Sequence, residues 1–433
     1  MRWAIAQCWM AQKHYVWSWG GPLPTLERHS EVKHSLLRNY LVDYFLTLVA
    51  RPEQDQIKLT IVDGFCGGGL YLSADGEVMP GSPLVILEAV KEAKARVMHE
   101  FQRHKDIKFD VLLICVDVNK SAVDHLRHVL EDRGYGALLR DKQVQLVNGK
   151  FADHASRLVA VAKNRTPRVG RALFILDQYG YGKVPEPALQ EIFAKLERPE
   201  VILTFNVDSL INFLSRDNLA AFESRTGLAG AITAEQIDDA MRGPNWRRSI
   251  QSKLYQRITS QSGARFFTPF FVRPHKGHGD FWLLHLSQHW KARDVMARTH
   301  WAHHNHFVHY LAPGLNMFST GYAAKIDDEG QPQSAFEFDD LANRSSMRAL
   351  HEQIPRLLSA RREGVPFREF FVSHVNATPA TETMIERAIL DLVREKQIQV
   401  VGDDGSVRNV RTALKDNHVI RVPKQFALML PPR

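Results

Sequence analysis

Between residues 32 and 49 apolar side chains fall at Leu36, Leu37, Tyr40, Leu41, Tyr44, Phe45 and Leu48, with Lys33, Arg38 and Asp43 interleaved. That spacing predicts an amphipathic helix. Residues 58–65 form a short apolar run rich in β-branched side chains that ends in the glycines of GFCGGG, which predicts a buried strand entering a tight loop. The alternation continues with a helix over 84–98, opened by prolines where a helix start tolerates them, then a strand over 111–116, a helix over 120–132 and a strand over 143–147. A helix over 152–162, a strand over 172–176, a helix over 186–196 and a strand over 200–205 complete the series. This rhythm implies an α/β core: a mainly parallel sheet with helices on both faces.

Residues 206–264 read as a polar, helical insertion, notably basic over 241–257. Two runs rich in Phe, Val, Trp and Leu follow, 264–273 and 280–287, and the short PHKGHG link between them suits an antiparallel hairpin. The DDEGQPQS stretch marks a linker over 327–346. Beyond it, helices are predicted over 348–361, 367–375 and 381–396, the last capped by Thr381 or Thr383. Strands over 398–401 and 419–423 flank a polar stretch with Asp403, Asp404, Arg408 and Arg411, so residues 347–433 resemble a winged helix. The expected layout is an N-terminal helical cap over 1–57, a core over 58–326, the linker and this last domain.

The chain has 433 residues and is 44 % hydrophobic, enough for a large core and two or three domains. No stretch approaches the roughly 20 apolar residues of a membrane span. Gln7, Gln12, Lys13 and His14 interrupt the N-terminal apolar stretch before an export signal develops. The cysteines Cys8, Cys66 and Cys115 are widely spaced and form neither a disulfide framework nor a zinc pattern, which fits a reducing, cytoplasmic setting. Lys and Arg outnumber Asp and Glu by 56 to 48, a formal charge of +8 that favours a polyanionic partner such as DNA or RNA. His300, His303, His304, His306 and His309 cluster, but with no carboxylate or cysteine among them hydrogen bonding or anion contact is preferred and no metal is expected.

The candidate chemistry lies at the strand ends. Asp63, Gly64, Phe65, Gly67 and Gly69 place a carboxylate and a glycine turn at the carboxyl edge of the first strand, where open α/β sheets bind ligands. Asp117, followed by Val118, stands at the next strand end, from which a carboxylate can accept both ribose hydroxyls. Asp153 either contacts an adenine amino group or caps the next helix. Asp177, Tyr179 and Tyr181 stand at the rim after the fourth strand of the series.

In order, VDGFCGGG, CVDVN, NGKFAD and LDQYGYG resemble the S-adenosylmethionine-dependent methyltransferase fold, a Rossmann-like sheet ending in an antiparallel hairpin. More narrowly, 29–40 with Lys33, 63–71 and 81–84 resemble the three-Cys-motif partner family, which pairs a lysine-bearing first helix with a D-x-F-x-G-x-G-x-Y loop and a G-S-P-L helix start. The resemblance implies S-adenosylmethionine as cofactor and a protein partner carrying a three-cysteine motif. Asp177-Gln178-Tyr179-Gly180 lacks the two prolines of DNA amino-methyltransferases, and 71–80 is expected to loop over the site's mouth.

Methyl transfer from a sulfonium is an in-line displacement, so the protein holds donor and nucleophile in line and handles a proton. Asp177 is the candidate for the proton, Tyr179 for stacking and Lys33 for phosphate contact or hydroxyl orientation. The plainer alternatives are a loop cap, a core tyrosine and a solvated lysine. Two functions compete: a methyltransferase acting on nucleic acid, and a non-catalytic scaffold that keeps the fold as another protein's partner. A nicotinamide enzyme ranks last, because Gly67 to Gly69 do not supply G-x-G-x-x-G spacing.

Overall fold

The structure, a computed structural model, describes residues 15–26, 28–50, 54–100, 107–178, 183–206, 256–272, 281–302, 307–309, 313–315, 336–337, 339–361 and 363–423, with isolated positions between 218 and 237. The chain folds as two compact units, one of residues 1–178 and 183–199, the other of 179–182 and 200–433.

The first unit opens with a non-helical strap over 15–26 and helix α1, Arg28–Leu48, which buries Leu36, Leu37, Tyr40, Leu41, Tyr44 and Phe45. Strand β1, Gln56–Asp63, buries Ile57, Leu59, Ile61 and Val62, residues that face both sides of a sheet. The expected loop over 71–80 is instead a hairpin of β2, Leu70–Leu72, and β3, Val78–Pro80. Ser73 Oγ accepts the N–H groups of Asp75 and Glu77, and Gly76 takes a positive φ at its tip. Helix α2, Ser82–Glu100, is tied to α1 by the Arg38–Glu92 ion pair at 2.8 Å.

Strand β4, Lys108–Asp117, leads to helix α3, Lys120–Asp132, whose Asn119 cap accepts the Ser121 N–H at 3.0 Å. A short helix α4, Gly136–Arg140, precedes strand β5, Val144–Asn148, helix α5, Phe151–Arg165, strand β6, Arg171–Leu176, and helix α6, Glu186–Lys195. The strands run in the order β6-β1-β4-β5, all parallel. The order turns about β1, so the carboxyl ends of β1, β4 and β6 make a switch-point crevice.

In the second unit strand β7, Arg198–Asn206, pairs antiparallel from Glu200 onward with β9, Phe281–Ser287, which pairs antiparallel with β8, Phe266–Val272. The expected hairpin is present; its PHKGHG tip and most of the 206–264 insertion lie outside the described residues. Helix α7, Trp290–Ala302, follows, and short strands β10, Phe307–His309, and β11, Phe336–Glu337, extend the β8 edge.

The C-terminal part begins earlier than the sequence suggests. Helix α8, Asp340–Ser359, starts within the 327–346 stretch because the Asp339 side chain accepts the Ala342 N–H at 2.7 Å. Helix α9, Phe367–His374, and helix α10, Glu382–Arg394, capped by Thr381, complete three helices. The expected pair of strands is a four-stranded sheet, in which β12, Val365–Pro366, and β14, Val407–Arg408, join β13, Gln399–Val401, and β15, Val419–Arg421.

Candidate functional site

The site lies in the first unit, at the carboxyl ends of β1, β4 and β6. Asp63, 1 % exposed, accepts the Phe65 N–H through Oδ1 at 3.3 Å and has the Ser82 hydroxyl at the start of α2 beside it. Its Oδ2 is buried without a hydrogen-bond partner. Burial pushes its carboxyl up to about 7, against the pull of Ser82 and Phe65 and with a smaller push from Asp177 and Asp117. An acid held near neutrality with an unspent oxygen is poised to receive a cationic or hydrogen-donating ligand group.

Asp117 receives the Gly67 N–H on Oδ2 at 3.0 Å and the Asn119 N–H on Oδ1 at 2.8 Å, which fixes the carboxylate against the glycine loop. Burial raises its pKa, opposed by those N–H groups and by the Lys183 cation. Val118 beside it is 64 % exposed, an apolar surface at the rim. Asp153 is exposed in the first turn of α5, whose cap position belongs to Lys150, so it is not the helix cap.

Lys33 is not a solvated lysine. It is 8 % exposed, and its ammonium donates to both Asp177 oxygens at 2.7 Å. Tyr179 and Tyr181 lie outside the described residues. Gln178, 3 % exposed, uses Oε1 to accept the Lys183 and Val184 N–H groups at 2.9 and 3.2 Å, while its Nε2 is buried without a partner.

Three residues that sequence reasoning did not assign belong here. His34 stands next to Lys33; burial lowers its imidazole to about 4, the Asp177 charge and a hydrogen bond to the Pro80 carbonyl work the other way, and its Nδ1 has no partner. The hydrogen bond thus uses Nε2–H and leaves a neutral Nδ1 acceptor. Ser82 is the second, and no local pattern ties it to Asp63. Trp17 is the third. Its indole lies 2.4 Å from where a Gly68 Cβ would stand, and its Nε1 donates to the Leu70 carbonyl at 3.0 Å. Tyr71, edge-on to Trp17 at 5.5 Å, places its hydroxyl 2.4 Å from a Gly67 Cβ. Gly67 and Gly68 are thus required by the covering aromatics, whereas Gly64 makes room for Leu176. The alternation of Tyr15, Trp17 and Trp19 with Val16 and Ser18 is the signal that could have marked the strap.

Cys66 and Cys115 are free and buried, and burial first of all holds the Cys66 thiol well above its ordinary value. His300 is buried on α7, while His303, His304 and His306 lie outside the described residues. Among the described residues no helix is long and apolar enough to cross a membrane.

A family model for the GMT-like wHTH domain matches residues 321–405. No curated protein matches the chain in sequence. Among solved structures it is similar to protein LPL1258 of Legionella pneumophila, at 8 % identity over 58 % of this chain and 84 % of that one, with a TM-score of 0.34. A putative rRNA methylase from Clostridium thermocellum matches at 9 % identity over 60 % of this chain and 97 % of its own, TM-score 0.29. SMU.1697c, a putative methyltransferase from Streptococcus mutans solved with SAH, matches at 14 % identity over 60 % of this chain and 98 % of its own, TM-score 0.26. Likeness this faint says nothing of substrate. The parallel β6-β1-β4-β5 order gives the first unit a Rossmann-like α/β fold, and in the second unit the antiparallel strands β7, β9 and β8 are followed by a C-terminal winged helix similar to the GMT-like family.

Proposed function

We propose that this chain binds S-adenosylmethionine in the crevice of its first unit and acts as a methyltransferase. The observation that carries the reading is the pairing of Asp117, fixed on the glycine loop, with Asp63, whose buried Oδ2 has no partner. In this reading the backbone of Gly64, Phe65, Gly67 and Gly69, the side chains of Asp117 and Val118, and Asp153 would hold the cofactor, with Asp117 available to accept the ribose hydroxyls. Asp63 would receive the methionine ammonium on its Oδ2. S-adenosylmethionine supplies an electrophilic methyl group on a sulfonium.

The chain's own residues then orient the acceptor. Both Asp177 oxygens already hold Lys33, so the pair serves to position a polar acceptor, and proton acceptance by Asp177 requires the ammonium to move away. Tyr179 is the proposed stacking group. The +8 charge favours nucleic acid as acceptor, and a three-Cys-motif protein is the proposed partner. The engagement of Asp177 also gives weight to a second reading, a scaffold that binds cofactor without turnover.

Calorimetry with S-adenosylmethionine on the wild type, Asp63→Ala and Asp117→Ala, each checked for folding, tests the cofactor site. Micromolar binding lost in both variants is expected; no binding to the folded wild type refutes the reading. With binding in hand, transfer of labelled methyl to nucleic acid separates enzyme from scaffold.

A further inference from the structure

In helix-turn-helix domains that read DNA, the recognition helix enters the major groove with its N-terminal residues on base edges, and its first N–H groups can meet phosphate. Here that helix is α10, and its N-terminal turn is already engaged. Asp294 of α7, 1 % exposed, accepts the Glu382 N–H at 2.7 Å, and Thr381 Oγ1 accepts the Met384 N–H at 3.2 Å. Glu382 in turn holds Lys291 of α7 at 2.8 Å and Arg368 of α9 at 2.6 Å. The Arg368 guanidinium lies 3.8 Å over the Trp290 ring. Just upstream, buried Arg293 donates to the Thr378 carbonyl and Trp301 Nε1 to the Pro379 carbonyl, the latter at 2.9 Å.

The attachment has the character of a core. Phe266 of β8 shares one apolar cluster with Leu350, Phe371, Ile385 and Leu392. Asn376 grips β8 from two directions, accepting the Phe267 N–H at 3.1 Å and donating to the Arg265 carbonyl at 2.8 Å. Among the described residues the wing is of mixed charge: Asp403, Asp404 and Asp416 are exposed beside Arg408, Arg411, Lys415 and half-buried Arg421, and Arg408 is spent on Asp404 at 2.7 Å.

We infer that this winged helix is a fixed clamp on the antiparallel strands of the second unit, with Asp294 standing where a nucleic-acid phosphate would meet α10, and that it does not read DNA through that helix. The inference is independent of the proposed methyl transfer.

The test uses the full chain and a fluorescein-labelled duplex DNA of mixed sequence, followed by anisotropy. Arg387→Glu/Arg394→Glu reverses two exposed charges of α10. The expected result is that this variant matches the wild type within about twofold, or that neither binds, and that Asp294→Ala melts at a lower temperature without gaining affinity. An affinity loss of about tenfold in the charge-reversal variant overturns the clamp. So does a gain of about tenfold in Asp294→Ala or, if that variant does not fold, in Asp294→Asn, which removes the charge and keeps an acceptor for the Glu382 N–H.

Discussion

Lys33 and Asp177 stand 144 positions apart in sequence, yet the ammonium of one donates to both carboxylate oxygens of the other at 2.7 Å. The lysine side chain is 9 % exposed and the aspartate 31 %, so the contact is sheltered on one side only. It ties α1 to the end of β6 at the rim of the crevice.

Removing one partner of a buried pair strands the other charge and costs about 3–5 kcal/mol. Water reaching Asp177 screens part of this, so Lys33→Met is expected to lower stability by about 2 kcal/mol. Lys33→Met/Asp177→Leu should lose less than the sum of the single variants, as a double-mutant cycle in urea will read directly. Strict additivity would mean that the pair contributes nothing.

Asp63 and His34 give opposite pH slopes. Asp63 carries a carboxyl raised to about 7. Its protonated form is favoured in the fold, so the stabilisation it gives is complete below the unfolded value near 4 and is lost as pH rises through about 7. Asp63→Asn, which keeps an acceptor for Phe65 and Ser82, is therefore expected to gain on the wild type between pH 5 and 8, by an amount on the order of 4 kcal/mol at most. His34 is depressed to about 4. Its contribution is present above about 6.5 and lost as pH falls through about 4, so His34→Gln should flatten the acid limb. Melting temperatures across pH 4–8 check both; parallel curves for wild type and variants would contradict the assignments.

These groups also mark what the sequence could not display. The bounds of α3 coincide with those read from the chain, because Asn119 caps it and the apolar spacing is strong. The β2–β3 hairpin was unreadable, since strands of three residues are too short to show a period. The polar composition around Asp339 hid a helix cap inside an apparent linker. A solvated surface position was the plainer reading of Lys33, because the partner that buries it comes from a distant strand end. Strand-end acids were legible from local pattern; their neighbours His34 and Ser82 come from helices and required the fold.

The strap and the glycine loop make a size-complementary pair. A Cβ on Gly68 would meet the Trp17 indole at 2.4 Å, and Gly68 does not need a positive φ. Gly68→Ala is thus expected to destabilise by about 1–3 kcal/mol through overpacking alone. Trp17→Ala, which empties a buried site, should cost about 3–5 kcal/mol. In the Trp17→Ala background the added methyl has room, so Gly68→Ala should become nearly neutral. Persistence of its full cost there would show that the glycine answers to something other than the tryptophan.

If Asp63 receives the cofactor ammonium, it must ionise to do so, and binding will release a proton at any pH below its raised pKa. Affinity for S-adenosylmethionine should then rise with pH by up to about tenfold per unit below about 7 and level off above it. Calorimetry in buffers of different ionisation enthalpy reads the released proton directly. The Asp63→Asn variant has no carboxyl to ionise, so any affinity it retains should be flat over the same range and free of buffer-dependent heat. A wild-type affinity that does not move between pH 5.5 and 7.5 would place the ammonium elsewhere, and would leave the buried oxygen of Asp63 to a group that donates a hydrogen bond without carrying charge.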